Sequence, residues 1–281
     1  MYLVGVANEG ERTRWNDETW ATAWPQRERL TEAVTPYVIA AVGARSGQRI
    51  CDIGCGGGGL TIELARAVGP TGAVVGYDVS VPLLHLARKR ADDAGVPNVG
   101  FVEVDVQTSA WDGPPFDVAA SQFGVMFFDE PTAAFASIRG HLVPGGRFVF
   151  ACWQGVERNP WHLGTALRKL QPPPRVPPPG KSPVGPFALG DDEYVREILE
   201  AAGYGTVVGT PHETTVRAPA SAVFDRTLFA FMGVAPERED EAASIAEEHL
   251  GRFAVAGADE AAGEDVYEFP LAFTVYGATT V

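Results

Sequence analysis

Asp52, Gly54, Gly56 and Gly59 are the residues whose types and spacing are best suited to holding a ligand. They lie in the run Arg49-Ile50-Cys51-Asp52-Ile53-Gly54-Cys55-Gly56-Gly57-Gly58-Gly59-Leu60, where a short β-rich stretch ends in an acid, breaks into glycines and enters a helical pattern. Without a Cβ, glycine lets a ligand lie directly on the backbone, and the first N–H groups of a helix are unpaired donors at the positive end of its dipole. Such a bend suits an anionic group. The same glycines spell a dinucleotide fingerprint, with Asp78 about 24 positions beyond Gly54 in the place of a ribose-binding acid.

Asp52 separates the ligand classes. A carboxylate two residues before the first glycine repels a pyrophosphate laid over the bend. S-adenosylmethionine brings an ammonium, a sulfonium and a single carboxylate, and tolerates or uses an acid there. Further acids follow at comparable points: Asp78 closes the run Ala73 to Asp78, and Asp105 follows Val99 to Val104. A planar carboxylate at Asp78 can accept from both ribose hydroxyls; its alternative role is to cap the next helix.

These residues need a scaffold, and the hydrophobic pattern supplies one. Strands are expected near Arg49, at Ala73–Asp78, Val99–Val104, Phe116–Ser121 and Arg147–Trp153, with helices from Leu60 to Val68, from Ser80 to Gly95 and from Pro131 to Leu142. Each crossover is long enough for a helix, which predicts a parallel sheet covered on both faces with its ligand beyond the strand C-termini. Gly54, Asp78, Asp105 and Ser121 all fall at that edge. Before the core, residues 1–14 read as polar and unpatterned. Leu30 and Val34 give one apolar face from Pro25, and Thr35-Pro36 starts a second short helix. After it, Asn159-Pro160 caps a helix, residues 171–186 form a proline tract of connector type, and Asp191–Ala202 is helical. Thr206–Thr210, extending toward Val216, and Leu271–Tyr276 read as final strands around helices at Ala220–Gly233 and Glu239–Phe253.

The charged and sulfur-bearing residues exclude several functions. A formal charge of −14 argues against a nucleic-acid substrate. From Glu237 to Glu268, eleven acids face two arginines, the mark of a solvated helical surface. Cys51, Cys55 and Cys152 lack metal or disulfide spacing and read as small buried filler, so no metal is expected. No apolar run spans a membrane and the first residues lack a secretion signal, so a cytoplasmic location is expected.

With Asp52, Gly54, Gly56 and Gly58 in place, and with the Val143-Pro144-Gly145-Gly146 turn before the fifth strand, residues 48–153 resemble class I S-adenosylmethionine-dependent methyltransferases. The tail is looser and is similar to the ubiquinone/menaquinone-biosynthesis-like group, of the methyltransferase type 11/25 kind. The resemblance implies a Rossmann-like α/β fold of five parallel strands plus an antiparallel hairpin of strands six and seven, with the two late helices inserted as a cap. It implies S-adenosyl-L-methionine as cofactor, with Asp52, Gly54, Cys55, Gly56, Asp78, Val79, Asp105, Val106, Ser121 and Gln122 around it. Asp105 would face the adenine amino group, and Gln122 stands where that group leads one to expect arginine.

Transfer of a methyl group to a small, apolar or aromatic acceptor follows from this resemblance. Trp20, Trp24, Phe123, Phe127, Trp153 and Trp161 are the pocket candidates, since aromatic faces suit both a sulfonium and an apolar acceptor. In each case hydrophobic packing alone is the competing role. No catalytic base is assigned; His162, beside Trp161, is the best histidine, with a surface or core position as its alternative. Two other readings stand beside this one: a nicotinamide-dependent oxidoreductase, from the glycine fingerprint and Asp78, and a non-catalytic cofactor-binding or interaction protein. The expected division is a helical segment over 1–46, the cofactor-binding core over 47–153, a Trp/Pro-rich connector over 154–190, and residues 191–281 completing the core with a cap near 219–256. The oligomeric state is not fixed by these features.

Overall fold

A computed structural model describes residues 9–108, 113–172, 184–255 and 266–281. Seven strands form one sheet in the order β3-β2-β1-β4-β5-β7-β6. They are β1 (Arg49–Ile53), β2 (Ala73–Asp78), β3 (Val99–Glu103), β4 (Phe116–Gln122), β5 (Leu142–Trp153), β6 (Tyr204–Pro219) and β7 (Val266–Thr280). The first five are parallel; β7 runs antiparallel to β5 and pairs antiparallel with β6.

The chain steps outward from β1 to β3, then returns to lay β4 on the other side of β1. Right-handed crossovers therefore send α4 (Gly59–Val68) and α5 (Val81–Asp93) to one face and α6 (Pro131–Gly140) to the other. The order reverses between β1 and β4, which is where such sheets open a crevice. Phe135, Phe148, Phe150 and Tyr276 fill the interior on the α6 side, fully buried and in mutual ring contact.

Several elements differ from expectation. Residues Glu9–Trp15 form a helix, α1, and the next helix, α2, begins at Glu18 rather than near Pro25. Asp17 caps it by accepting from the Thr19 N–H, and Pro25 lies inside it. Thr35–Val42 is α3, as expected. No helix joins β3 to β4 among the described residues. The Pro-Gly-Gly turn lies within β5, where the pairing with β4 shifts register between Phe116 and Val118. The helix after β5 is a single turn, α7 (Leu163–Ala166), capped by the His162 ring rather than by Asn159. Most of the proline tract lies outside the described residues. The helix α8 (Asp192–Ala201) agrees with expectation.

The last two strands are far longer than expected. β7 pairs with β5 only as far as Phe273, opposite Trp153, but continues against β6 to Val266, opposite Pro219. Because β7 is antiparallel, its unpaired half and the matching half of β6 project past the C-terminal ends of the parallel strands. This arm carries α9 (Arg226–Phe231), shorter than the expected Ala220–Gly233 because Asp225 caps it late, and α10 (Glu239–Gly251). No helix among the described residues is long and apolar enough to cross a membrane.

Candidate active site

Gly54 leaves β1 with φ of 67°, and its N–H donates to the Tyr77 carbonyl at 2.8 Å. A Cβ at Gly54 would lie 2.7 Å from the Gly124 Cα, and one at Gly124 would lie 2.6 Å from the Ile53 carbonyl oxygen. The ends of β1 and β4 therefore touch backbone to backbone at the switch point. Ser121 completes this joint by donating its hydroxyl to the Ile53 carbonyl at 2.6 Å.

Asp52 is buried beneath the bend. Its Oδ2 accepts from the Thr61 hydroxyl at 2.6 Å, and its Oδ1 is buried without a partner. Burial raises its carboxyl to about 7; Thr61 lowers it, and the nearby Asp78 adds to the rise. The Asp78 carboxylate accepts from Gly56 N–H at 2.8 Å and Ser80 N–H at 2.9 Å, one on each oxygen. Each oxygen keeps a further lone pair. Ser80, not Asp78, caps α5. Asp105 is buried, accepts from Gln107 N–H at 3.1 Å through Oδ1, and leaves Oδ2 without a donor. Burial raises both Asp78 and Asp105 above the ordinary carboxylate range, their backbone hydrogen bonds acting the other way. Val106 is buried beside it.

The three cysteines are buried with thiols raised by burial, Cys55 with its N–H on the Tyr77 carbonyl at 3.1 Å. Among the described residues no group of three metal-ligating side chains converges.

The N-terminal helices lie across this edge, and they bring the pocket candidates Trp20 and Trp24 to it. Asn16 donates to the Val79 carbonyl at 2.9 Å and accepts from Val81 N–H at 3.0 Å, and the Ser80 hydroxyl donates to the Trp15 carbonyl at 2.6 Å. Further along, in α2, the Trp24 ring presses on Gly56 and Gly57, where a Cβ would meet it at 2.6 and 2.7 Å. Glu28 occupies the space beside Gly59 and pairs with Arg90 at 2.5 Å. At the C-terminal end of α2, Gln122 donates to the Thr31 carbonyl at 3.1 Å, while its buried Oε1 has no partner.

The aromatic candidates fall into two groups. Trp20 lies 6.4 Å from Trp24 and stacks on Phe231 of α9 at 4.1 Å, and Trp15 bridges Trp20 to Phe127. Phe123 stacks on Trp153 at 4.0 Å, and Trp153 meets Trp161 edge-on at 5.2 Å. Phe123 holds φ of 64°, the one left-handed non-glycine among the described residues, a conformation that bulky side chains adopt only under constraint. The indole N–H groups of Trp20, Trp24 and Trp161 are buried without acceptors.

His162 Nδ1 accepts from Gly164 N–H at 3.1 Å. Burial lowers its pKa to about 4, so the ring is neutral with its proton on Nε2. That tautomer donates from Nε2 and cannot take a proton there. Asn159, expected as a helix cap, instead staples the segment after β5 to β7, donating to the Ala272 carbonyl at 2.9 Å and accepting from its N–H at 3.0 Å.

Residues 50–146 match the family model described as a methyltransferase domain. The ubiquinone/menaquinone biosynthesis C-methyltransferase UbiE of Stutzerimonas stutzeri (strain A1501) is 40% identical over 114 residues, 40% of this chain and 44% of that protein. The aklanonic acid methyltransferase DauC of Streptomyces sp. (strain C5) is 32% identical over 105 residues, 37% of this chain and 48% of that protein. The chain thus spans less than half the length of these curated relatives. Among solved structures, phosphoethanolamine N-methyltransferase 2 of Haemonchus contortus, in complex with S-adenosyl-L-methionine, shares the fold with a TM-score of 0.59 at 15% identity, covering 99% of this chain and 60% of that one. Over residues 50–146 the chain is thus similar to a methyltransferase domain, and its fold is one that methyltransferases of known structure share.

Proposed function

We propose that the protein transfers a methyl group from S-adenosyl-L-methionine to a small, apolar or aromatic acceptor. The observation that carries this reading is the convergence of Asp52, Asp78 and Asp105 at one sheet edge, with buried carboxylate oxygens of Asp52 and Asp105 left without donors. Buried polar atoms are normally paired, so these are sites at which a ligand donor is expected. The glycine bend supplies the close approach, Asp78 with Val79 would take the ribose, and Asp105 with Val106 the adenine. Asp52, Cys55, Ser121 and Gln122 would surround the amino-acid end. When bound, the cofactor supplies a methyl group on a positively charged sulfur, which leaves as a neutral sulfide.

The chain's own contribution is then alignment and exclusion of water. Trp20, Trp24, Phe127 and Phe231 would wall the acceptor from the N-terminal and α9 sides, and Phe123, Trp153 and Trp161 from the β4–β5 side. An acid–base pair is not required by this chemistry, and the His162 tautomer argues against that ring as the base. The helices α1 to α3 of the N-terminal segment and the insertion that carries α9 and α10 would close over the core at 47–153.

The glycine fingerprint favours a second reading, a nicotinamide site. Two carboxylates oppose it: Asp52 beneath the bend and Glu28 beside Gly59 at the N-terminus of α4, where a pyrophosphate would have to sit. Calorimetric titration of the folded protein with S-adenosylhomocysteine and with NAD separates the two. Saturable binding of the first supports methyl transfer, and preferential binding of NAD selects the alternative.

A further inference from the structure

Helix α2 presents different chemistry on its two sides. Trp24 and Glu28 meet the glycine bend, whereas Trp20 and Arg27 meet the insertion. The Arg27 guanidinium lies over the Trp20 ring, its carbon 3.9 Å from the centroid, and Trp20 in turn stacks on Phe231. One nitrogen of the guanidinium does all the observed bonding: Nη2 donates to both carboxylate oxygens of Asp225, at 3.1 and 3.0 Å, and to the Thr227 hydroxyl at 2.9 Å. Nε and Nη1 are buried and have no acceptor. Together they carry three of the five guanidinium N–H donors.

A latch between α2 and α9 does not account for this. Its work is done by Nη2 alone, and lysine could supply a single such contact. Burying three charged donors unpaired is costly, and Asp225 compensates only in part, because its Oδ1 also accepts from the Thr227 and Leu228 N–H groups at 2.8 and 3.1 Å. The site is polarised along α2. The acids lie at the strand tips, suited to a cationic cosubstrate, whereas the Arg27 guanidinium lies about a helical turn beyond Trp24, against Trp20 and the insertion.

We propose that Arg27 is the anchor for a carboxylate on the acceptor, with Trp20 and Phe231 holding the ring or chain that bears it. The acceptor class is then an aromatic or polycyclic carboxylate rather than a neutral hydrocarbon or an amine. This rests on reading the adjoining edge as a methyl-transfer site, so the test keeps the two apart.

The full chain is titrated with 2-naphthoate and with its neutral isostere 2-naphthamide, with and without S-adenosylhomocysteine, as wild type, Arg27→Lys and Arg27→Gln. The expected result is a preference of the wild type for naphthoate by roughly tenfold or more. Both variants should retain naphthamide binding and S-adenosylhomocysteine affinity but reduce that preference to about twofold or less. Arg27→Lys keeps a cation beside Asp225, so it reports on the lost donors even if Arg27→Gln fails to fold. Equal binding of the two probes by wild type, no naphthoate binding at millimolar concentration, or a preference that survives both substitutions overturns the proposal. A naphthoate preference lost in Arg27→Lys, together with no S-adenosylhomocysteine binding, supports the anchor while removing the methyl-transfer reading.

Discussion

Asp52 is the residue at which burial and function conflict most directly. Its carboxyl stands at about 7 in the folded chain against an ordinary 3.8. A group whose folded pKa exceeds its unfolded value holds its proton more tightly when native, so its contribution to stability falls as pH rises from about 4 to about 7 and is flat beyond. Asp52→Asn removes this penalty. The variant is expected to gain on wild type across that window, by up to roughly 3–4 kcal/mol at pH 8, as read from urea unfolding at several pH values. An advantage that shrinks as pH rises would contradict the assignment. S-adenosylhomocysteine carries an ammonium, so its affinity for wild type should increase through pH 7, while that of Asp52→Asn stays flat. Gly124→Ala forces a Cβ to 2.6 Å from the Ile53 carbonyl and should destabilise the fold by about 3 kcal/mol with loss of cofactor binding. A normal thermal transition with intact binding would show that the β1–β4 joint is dispensable. The placement of the acids and glycines was legible in the chain because it is local to the strand ends. Gly124, Arg27 and Asn159 were not, because their partners lie 70, 198 and 113 residues away.

At the scale of elements, α2 lies across the candidate site. Trp24 lies against Gly56 and Gly57, so a ligand seated on the bend must displace or reorient that ring. Intrinsic fluorescence should therefore change saturably with S-adenosylhomocysteine, and most of the change should disappear in Trp24→Phe while the affinity measured by calorimetry persists. An unaltered signal in Trp24→Phe would mean that α2 stays in place. The Asn159 staple is the corresponding device on the other side. Asn159→Ala leaves the Ala272 N–H and carbonyl unpaired and should lower Tm by roughly 5–10 °C; a shift below about 2 °C would show that the staple carries no load. Strands β1 to β5 could be read from hydrophobic runs because each is bounded by turn residues. The full length of β6 and β7 could not be read: the expected strands reached only toward Val216 and began only at Leu271, because among the described residues the projecting halves pair with each other and with the segment after α10 rather than with the parallel sheet.

For the molecule as a whole, the parallel sheet sets the strand-tip edge, and the N-terminal helices and the arm meet beside it. The sheet and its switch point were available from the sequence, because the order of strand and helix patterns constrains the topology. The closure of α2 against α9 through Arg27 and Asp225 was not, because a charged pair so far apart in the chain leaves no periodic trace. Asp52, Asp78 and Asp105 lie at the strand tips while the guanidinium of Arg27 faces the insertion. The most direct measurement is calorimetric titration of the full chain with S-adenosylhomocysteine, alongside Asp78→Asn and Asp105→Asn. One saturable site is expected in wild type, weakened by roughly tenfold or more in each variant at unchanged Tm. A natively folded wild type that binds no S-adenosylhomocysteine, or variants that bind it as well as wild type does, would mean that the strand-tip acids do not form a cofactor site.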